Sequence, residues 1–469
     1  MMTLLVISMA AVPLALLAGG RAALWTVISL AVLYDDRQLS QTVAFLGTDP
    51  SPSIFNTRIA GFQAIDWMVA LLMISALCRI AGDEGTRLWM GRVLRESRIA
   101  FWLCLSTVPY AYSSIFGFFA GNDPRLLFQD LQNHAYMLGM ALAAITFSGG
   151  HEDQARTLTV ILAALAVKTL IMSGRLLLGI GYSWGMVFRV SLSSDSVLVL
   201  VLLFSLAFLV ADRRLGPAKV FGAAVLLAAV LLILFSISSR TALLISSAQL
   251  ALLLWFMTPK MRRVSLSLIA LISGAAYIAV WSYKPQLLDF YWWRFTSIFE
   301  WSGLKLGHNG QLLSNSVKTL EIQNVFALLK SKGAMLFGLG QGATWSAVHH
   351  PIPLPYFNDG YPPGEWRHAS THLQLLSLAL KTGLAGTALY WTGLVGIQAE
   401  TVSLYFRRKT ATMAMISLGL LPLMFNMANF ERLYLFSGLL IGLALRSEVA
   451  GRTSAADTGT VEKTLWRPA

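Results

Sequence analysis

Runs of apolar residues long enough to cross a bilayer recur along almost the whole chain, and short clusters of arginine and lysine separate them. This pattern restricts the fold more than any other feature of the sequence. A bilayer core takes about 20 consecutive apolar residues in a helix, and in lipid each backbone N–H and C=O must be satisfied within the segment. The strands of a transmembrane barrel would alternate in short segments, whereas these runs are apolar throughout. The chain has 469 residues, 56% hydrophobic and only 13% charged; a soluble domain carries about 25% charged residues. The expected fold is an all-α polytopic membrane protein. Candidate spans are 2–19, 22–34, 61–80, 99–119, 135–150, 157–174, 191–211, 219–236, 241–257, 264–282, 372–397, 410–428 and 433–446. That makes about twelve or thirteen by length. The count turns on whether Gly19-Gly20-Arg21 is a turn between two helices or a break in one.

The net charge of +13 would suit a nucleic-acid binder, but its distribution does not. The basic residues sit between spans, as the positive-inside bias expects. One set holds Arg87, Arg92, Arg95 and Arg98. Others hold Arg156; Arg213, Arg214 and Lys219; Lys260, Arg262 and Arg263; and Arg407, Arg408 and Lys409. Counting spans between them puts all five sets on one side, the cytoplasm. Segments 35–60, 120–134, 175–190, 237–240, 283–371 and 429–432 then face outward. The chain divides into transmembrane helices over 1–282, a large outward loop over 283–371, C-terminal transmembrane helices over 372–446 and a loose cytoplasmic tail over 447–469. Cys78 and Cys104 lie in apolar runs and read as small core residues without a disulfide. The apolar start has no basic n-region and reads as a retained span. No internal repeat of the transporter kind is visible.

A loop of about 90 residues between spans is functional or disordered more often than idle, and this one has structured composition. It carries Tyr291-Trp292-Trp293 and a helical stretch at 316–331, then Gly338-Leu339-Gly340-Gln341-Gly342. On that stretch Val317, Leu320, Asn324 and Leu328 form one stripe with Val325 and Leu329 beside it, which suits a helix on the membrane surface or packed on the bundle. The glycines fit a tight turn or a close backbone approach, since no strand precedes them as in a nucleotide site. Three arginines fall at outward span ends: Arg175, Arg189 and Arg240. An anchoring arginine belongs inside, so outward ones invite a binding role; their planar forks pair phosphate oxygens and suit a diphosphate. His372 opens the span after the loop, and an imidazole there can take a proton from a hydroxyl. His368, one helical turn earlier, is the spare candidate. His349-His350 lacks a ligand set at metal spacing and reads as solvated loop. Asp66, Lys168, Asp195 and Lys381 are the other charges in or near spans; the two lysines read as ion-paired structural residues.

Taken together, these features resemble the O-antigen ligase and Wzy-type polysaccharide polymerase superfamily. Four carry the resemblance: the large outward loop before the last three spans; Ser239-Arg240 opening an apolar run; Arg294-Phe295 through Phe337-Gly338-Leu339-Gly340; and His372 followed by Gly383-Leu384-Ala385-Gly386. The His-to-Gly spacing matches, while Leu373 stands where that family has a polar residue. The resemblance implies a GT-C-like helical bundle in a bacterial inner membrane, acting as an inverting glycosyltransferase that uses neither metal nor cofactor. The donor would be a glycan on undecaprenyl pyrophosphate, with Arg240, Arg189 and Arg175 holding the pyrophosphate on the periplasmic side. His372, or His368, would be the base on the acceptor. Polymerisation of repeat units is the favoured activity, and ligation to lipid A–core the alternative. Membrane lipids, a chain-length regulator and a flippase are the expected company, and nucleic acid is not. A lipid-linked oligosaccharide transporter is the rival from another class.

Overall fold

The computed structural model describes residues 2–33, 58–59, 62–177, 182–184, 187–189, 240–283, 289, 292, 314–350, 374–426 and 434–450. The candidate spans 191–211 and 219–236, together with Asp195, Arg294-Phe295, His368 and His372, lie outside the described residues. The described chain is mostly helical. Its helices are α1 (Met2–Ala18), α2 (Gly20–Leu33), α3 (Ala64–Gly82), α4 (Glu84–Glu96), α5 (Arg98–Phe119), α6 (Pro124–Phe147), α7 (His151–Leu177), α8 (Arg240–Phe256), α9 (Pro259–Tyr283), α10 (Ser314–Ser331), α11 (Gln374–Arg408), α12 (Ala411–Asn426) and α13 (434–450). Two small antiparallel hairpins join them, β1 (Arg58–Ile59) with β2 (Phe62–Gln63) and β3 (Tyr182–Trp184) with β4 (Val187–Arg189). Among the described residues, Ala64–Gly82, Arg98–Phe119 and Glu152–Ile171 are long and apolar enough to cross a membrane. Gly20–Leu33, Ser247–Phe256 and Ala411–Pro422 are shorter apolar helices.

The start of the chain is two helices. Gly19, at φ +129°, separates α1 from α2, a conformation that only glycine adopts cheaply. Core residues come from many helices at once, among them Val27, Ile65, Met68, Leu72, Met137, Ile416 and Leu439. Ile74 and Leu77 on α3, and Phe101, Ile115 and Phe118 on α5, are exposed instead. Contiguous exposed apolar surface marks contact with a partner or a membrane.

The bundle has two chemically different ends. At one, Arg21 pairs with Asp153 at 2.7 Å, and Ser447 donates to Gln154 at 2.6 Å. Arg446 donates to the Gly149 carbonyl at 2.6 Å, and the Tyr405 hydroxyl donates to the Phe256 carbonyl at 3.0 Å. The described basic clusters, at 87–98, 156, 260–263 and 407–409, belong to this end. The other end holds the N-termini of α3, α6 and α11 and the C-terminal part of α5.

Several expectations need correction. Most of the expected loop 120–134 is helix, because α6 begins at Pro124. Asp123 caps it, accepting from the Arg125 N–H at 2.8 Å, and Pro124 sits where a missing N–H costs nothing. The expected tail does not begin at 447: α13 runs to 450 with Ser447 and Glu448 buried. Glu448 accepts from the Ser97 hydroxyl at 2.6 Å and from the Arg98 and Ile99 N–H groups at 3.2 and 3.3 Å. It thereby closes the N-terminus of α5, where donors are unsatisfied and the helix dipole favours a negative charge. The basic segment 84–96 forms helix α4, capped by Asp83, which accepts from Gly85 and Thr86 N–H at 3.2 and 3.3 Å. Cys78 and Cys104 are unpaired, as expected, but exposed on the outer surfaces of α3 and α5 instead of buried. An apolar run does not reveal which of its faces looks inward.

Candidate functional site

The loop glycines and α11 meet in a closely packed, hydrogen-bonded junction. Helix α10 leads into it. Val317, Leu320, Val325 and Leu329 bury against Leu376 and Leu380 of α11 and against Trp345, so α10 packs on the bundle. Asn324 donates to the His350 carbonyl at 2.7 Å and accepts from the His350 N–H at 2.8 Å. That ties the exposed His349-His350 dipeptide back to the helix through backbone, not through imidazole.

Helix α11 breaks at Gly383, which sits at φ +69°, ψ −178°. In an unbroken helix the Leu384 and Ala385 N–H groups would bond the carbonyls of residues 380 and 381. Here they bond Met335 O at 2.9 Å and Leu336 O at 3.1 Å. The carbonyls they leave are taken by the loop: Leu339 N–H bonds Leu380 O at 2.8 Å, and Gly340 N–H bonds Lys381 O at 2.9 Å. One turn of α11 is thus opened, and the 335–340 segment supplies the partners on both sides, so these four backbone groups stay paired.

Two glycines make this possible. A Cβ at Gly383 would lie 2.1 Å from Leu336 O, and one at Gly340 would lie 2.4 Å from Gly117 Cα. Beyond Gly340 the loop reaches α5. Gln341 N–H bonds Ser113 O at 2.9 Å, and its side-chain amide bonds the Ser113 hydroxyl at 2.9 Å. The Asn122 amide donates to both Leu339 O and Gln341 O at 2.9 Å. Tyr112 donates its hydroxyl to the Thr382 carbonyl.

A buried ion pair locks α6 to the same point. Asp130 accepts from the Lys381 ammonium with one oxygen and from the Gly342 N–H with the other, the latter at 2.8 Å. The two side chains are 12% and 9% exposed. A charge at this depth is tolerated because it is paired and its second oxygen is satisfied. The expected pairing of Lys381 is borne out, while its partner Asp130 lies in a segment expected to be loop. Asn122-Asp123-Pro124, a helix-start signal, would have revealed that segment as helix. Asp66, the other charge expected near a span, serves as an N-terminal anchor. Its carboxylate accepts from Gln63 N–H at 2.7 Å, from the Gln132 amide at 2.6 Å, and from the Tyr136 hydroxyl.

The expected site residues relate to this junction through their backbones. His372 precedes the first residue of α11 by two positions and His368 by six; both lie outside the described residues. Arg240 is the first residue of α8, Arg175 lies in the last turn of α7, and Arg189 ends β4 in register with Tyr182. Helix α7 starts at the basic end, where Asp153 meets Arg21, and so finishes at the other. Helix α8 finishes at the basic end, where the Phe256 and Tyr405 rings lie tilted against each other with centroids 3.9 Å apart, and so starts at the other. The backbones of Arg175 and Arg240 therefore belong to the end of the bundle where α11 begins. No group of three histidines, cysteines or carboxylates is placed to hold a metal among the described residues. In comparisons with known proteins, no family model matches the chain and no curated protein matches it.

Proposed function

We propose that this chain is a polytopic bacterial inner-membrane glycosyltransferase that joins glycans at the periplasmic face, with the glycine junction as the floor of its active site. The observation that carries this reading is the mutual docking of Gly338-Leu339-Gly340 with Gly383. These are two short motifs, distant in sequence, that carried the resemblance to the O-antigen ligase and polymerase superfamily. They form one structural unit, and the helix they break, α11, begins two residues after His372 in the sequence.

In the proposed reaction, Arg240, Arg189 and Arg175 hold the pyrophosphate of an undecaprenyl-linked glycan through bidentate, charge-assisted hydrogen bonds. His372, as a neutral imidazole, takes the proton from the acceptor hydroxyl. The oxygen attacks the anomeric carbon from the face opposite the diphosphate, the bond to the diphosphate breaks, and undecaprenyl pyrophosphate leaves. Guanidinium groups fixed at the leaving group stabilise the charge that develops there. The favoured acceptor is the sugar of a second lipid-linked repeat unit, making the enzyme a polymerase; lipid A–core as acceptor would make it a ligase.

The test supplies purified protein with a lipid-pyrophosphate glycan donor and each acceptor in turn. The reading expects a new glycosidic bond and stoichiometric release of undecaprenyl pyrophosphate. Movement of the donor across a vesicle membrane without any new bond would favour a transporter instead.

A further inference from the structure

A groove of about 430 Å³ opens at the basic end, between the α4–α5 junction and the C-terminal half of α11. That volume is in the range of small-ligand sites, about 300–1,000 Å³. Its polar lining has both signs of charge: Arg95 and Arg98 line it together with Glu96 and Glu400. Its apolar lining is Phe101 and Trp102, whose rings meet edge to face at 5.1 Å. Phe101 is 60% exposed on the first turn of a candidate span.

Two features narrow what can sit there. The α5 N-terminus is not free to take an anion, because Glu448 and Ser97 already accept from its N–H groups. A phosphate must therefore lie on the two guanidinium groups. Meanwhile Glu400 is only 15% exposed and forms an ion pair with Arg98 at 3.6 Å, a separation too long for a hydrogen bond, so its oxygens still have room for a donor. An inward carboxylate beside two outward arginines disfavours a purely anionic guest. It favours one that carries an ammonium a few bonds from its phosphate.

We propose that this groove binds the head group of a zwitterionic aminophospholipid, phosphatidylethanolamine. The phosphate lies on Arg95 and Arg98, the primary ammonium donates to Glu400, and an acyl chain runs down Phe101 and Trp102. The proposal rests on the reading that the chain spans a membrane; it does not depend on glycosyl transfer.

The test uses the full-length protein in nanodiscs of equimolar phosphatidylethanolamine, phosphatidylglycerol and phosphatidylcholine. The protein is moved to detergent and the retained lipids are counted by native mass spectrometry. The expected result is about tenfold preference for phosphatidylethanolamine over the other two, since a charge-assisted hydrogen bond is among the strong ones and a quaternary ammonium cannot donate it. Glu400→Gln should erase that preference while phospholipid is still retained. Arg95→Gln with Arg98→Gln should lower retention of all three. Phosphatidylglycerol retained as well as phosphatidylethanolamine, or an unchanged preference in Glu400→Gln, would overturn the proposal. Flotation of wild-type membranes at alkaline pH separates the two failures. A chain that does not float contradicts the membrane reading, and one that floats without the lipid preference contradicts only the groove.

Discussion

Removing the Asp130 carboxylate should reveal how the junction is held. Asp130→Ala strands two groups at once: the Lys381 ammonium, 9% exposed in its side chain, and the Gly342 N–H, bonded at 2.8 Å. Breaking a buried ion pair from one side costs about 3–5 kcal/mol, because the remaining charge stays buried without compensation. The double variant Asp130→Ala with Lys381→Met removes the stranded charge and replaces it with an apolar chain of similar length. It should lose only about 1–3 kcal/mol, the cost of leaving the Gly342 N–H unpaired. The double variant is therefore expected to be more stable than the single one, a reversal that additive effects cannot give. Titration of reconstituted protein with a denaturing detergent, followed by tryptophan fluorescence, measures both. An Asp130→Ala protein within about 0.5 kcal/mol of wild type, the usual range for an uninvolved surface change, would show that the pair does not hold the junction. A double variant weaker than the single would show that the ammonium has another anchor.

Further outcomes follow from other parts of the structure. Gly340→Ala should destabilise by about 1–3 kcal/mol or more, as overpacking does, because its Cβ would fall 2.4 Å from Gly117 Cα; the same titration reads it. Asp83, exposed at the start of α4, has its carboxyl held below the usual range chiefly by the Thr86 hydroxyl. The stability deficit of Asp83→Ala should thus be full at neutral pH and shrink as pH falls through that lowered pKa, which thermal melts across the acid range would detect. Single cysteines placed in the 283–371 loop should react with a membrane-impermeant thiol reagent added from the periplasm, and cysteines at 407–409 should not; the opposite labelling would reverse the proposed orientation.

Much of this architecture is legible in the sequence where one local rule dominates. Helix α10 announces itself by its stripe from Val317 to Leu329, and the turning glycines by their spacing. Lys381 announces itself because a lone charge in an apolar run needs a partner. Other parts depend on residues far apart in the chain. Nothing near Glu448 says that it caps a helix beginning at Arg98. Nothing near Leu380 says that its carbonyl is surrendered to Leu339. Asp130 is hidden because the first three turns of α6 mix Leu126, Leu127 and Phe128 with Gln129, Asp130, Gln132 and Asn133, which a hydropathy window reads as loop even though Asp123-Pro124 marks a helix start. Cys78 and Cys104 were misplaced for a related reason: hydropathy cannot separate a face packed on protein from one turned to lipid.

The proposed glycosyl transfer rests on the segment that leads into α11. The most direct measurement compares glycan transfer by wild type, His372→Ala and His368→Ala, each with its donor affinity measured separately. A general base contributes about 100- to 10,000-fold, acting mainly in the transition state. His372→Ala should lose transfer on that scale while binding donor nearly normally, and His368→Ala should be milder. Full transfer in both variants would contradict the account.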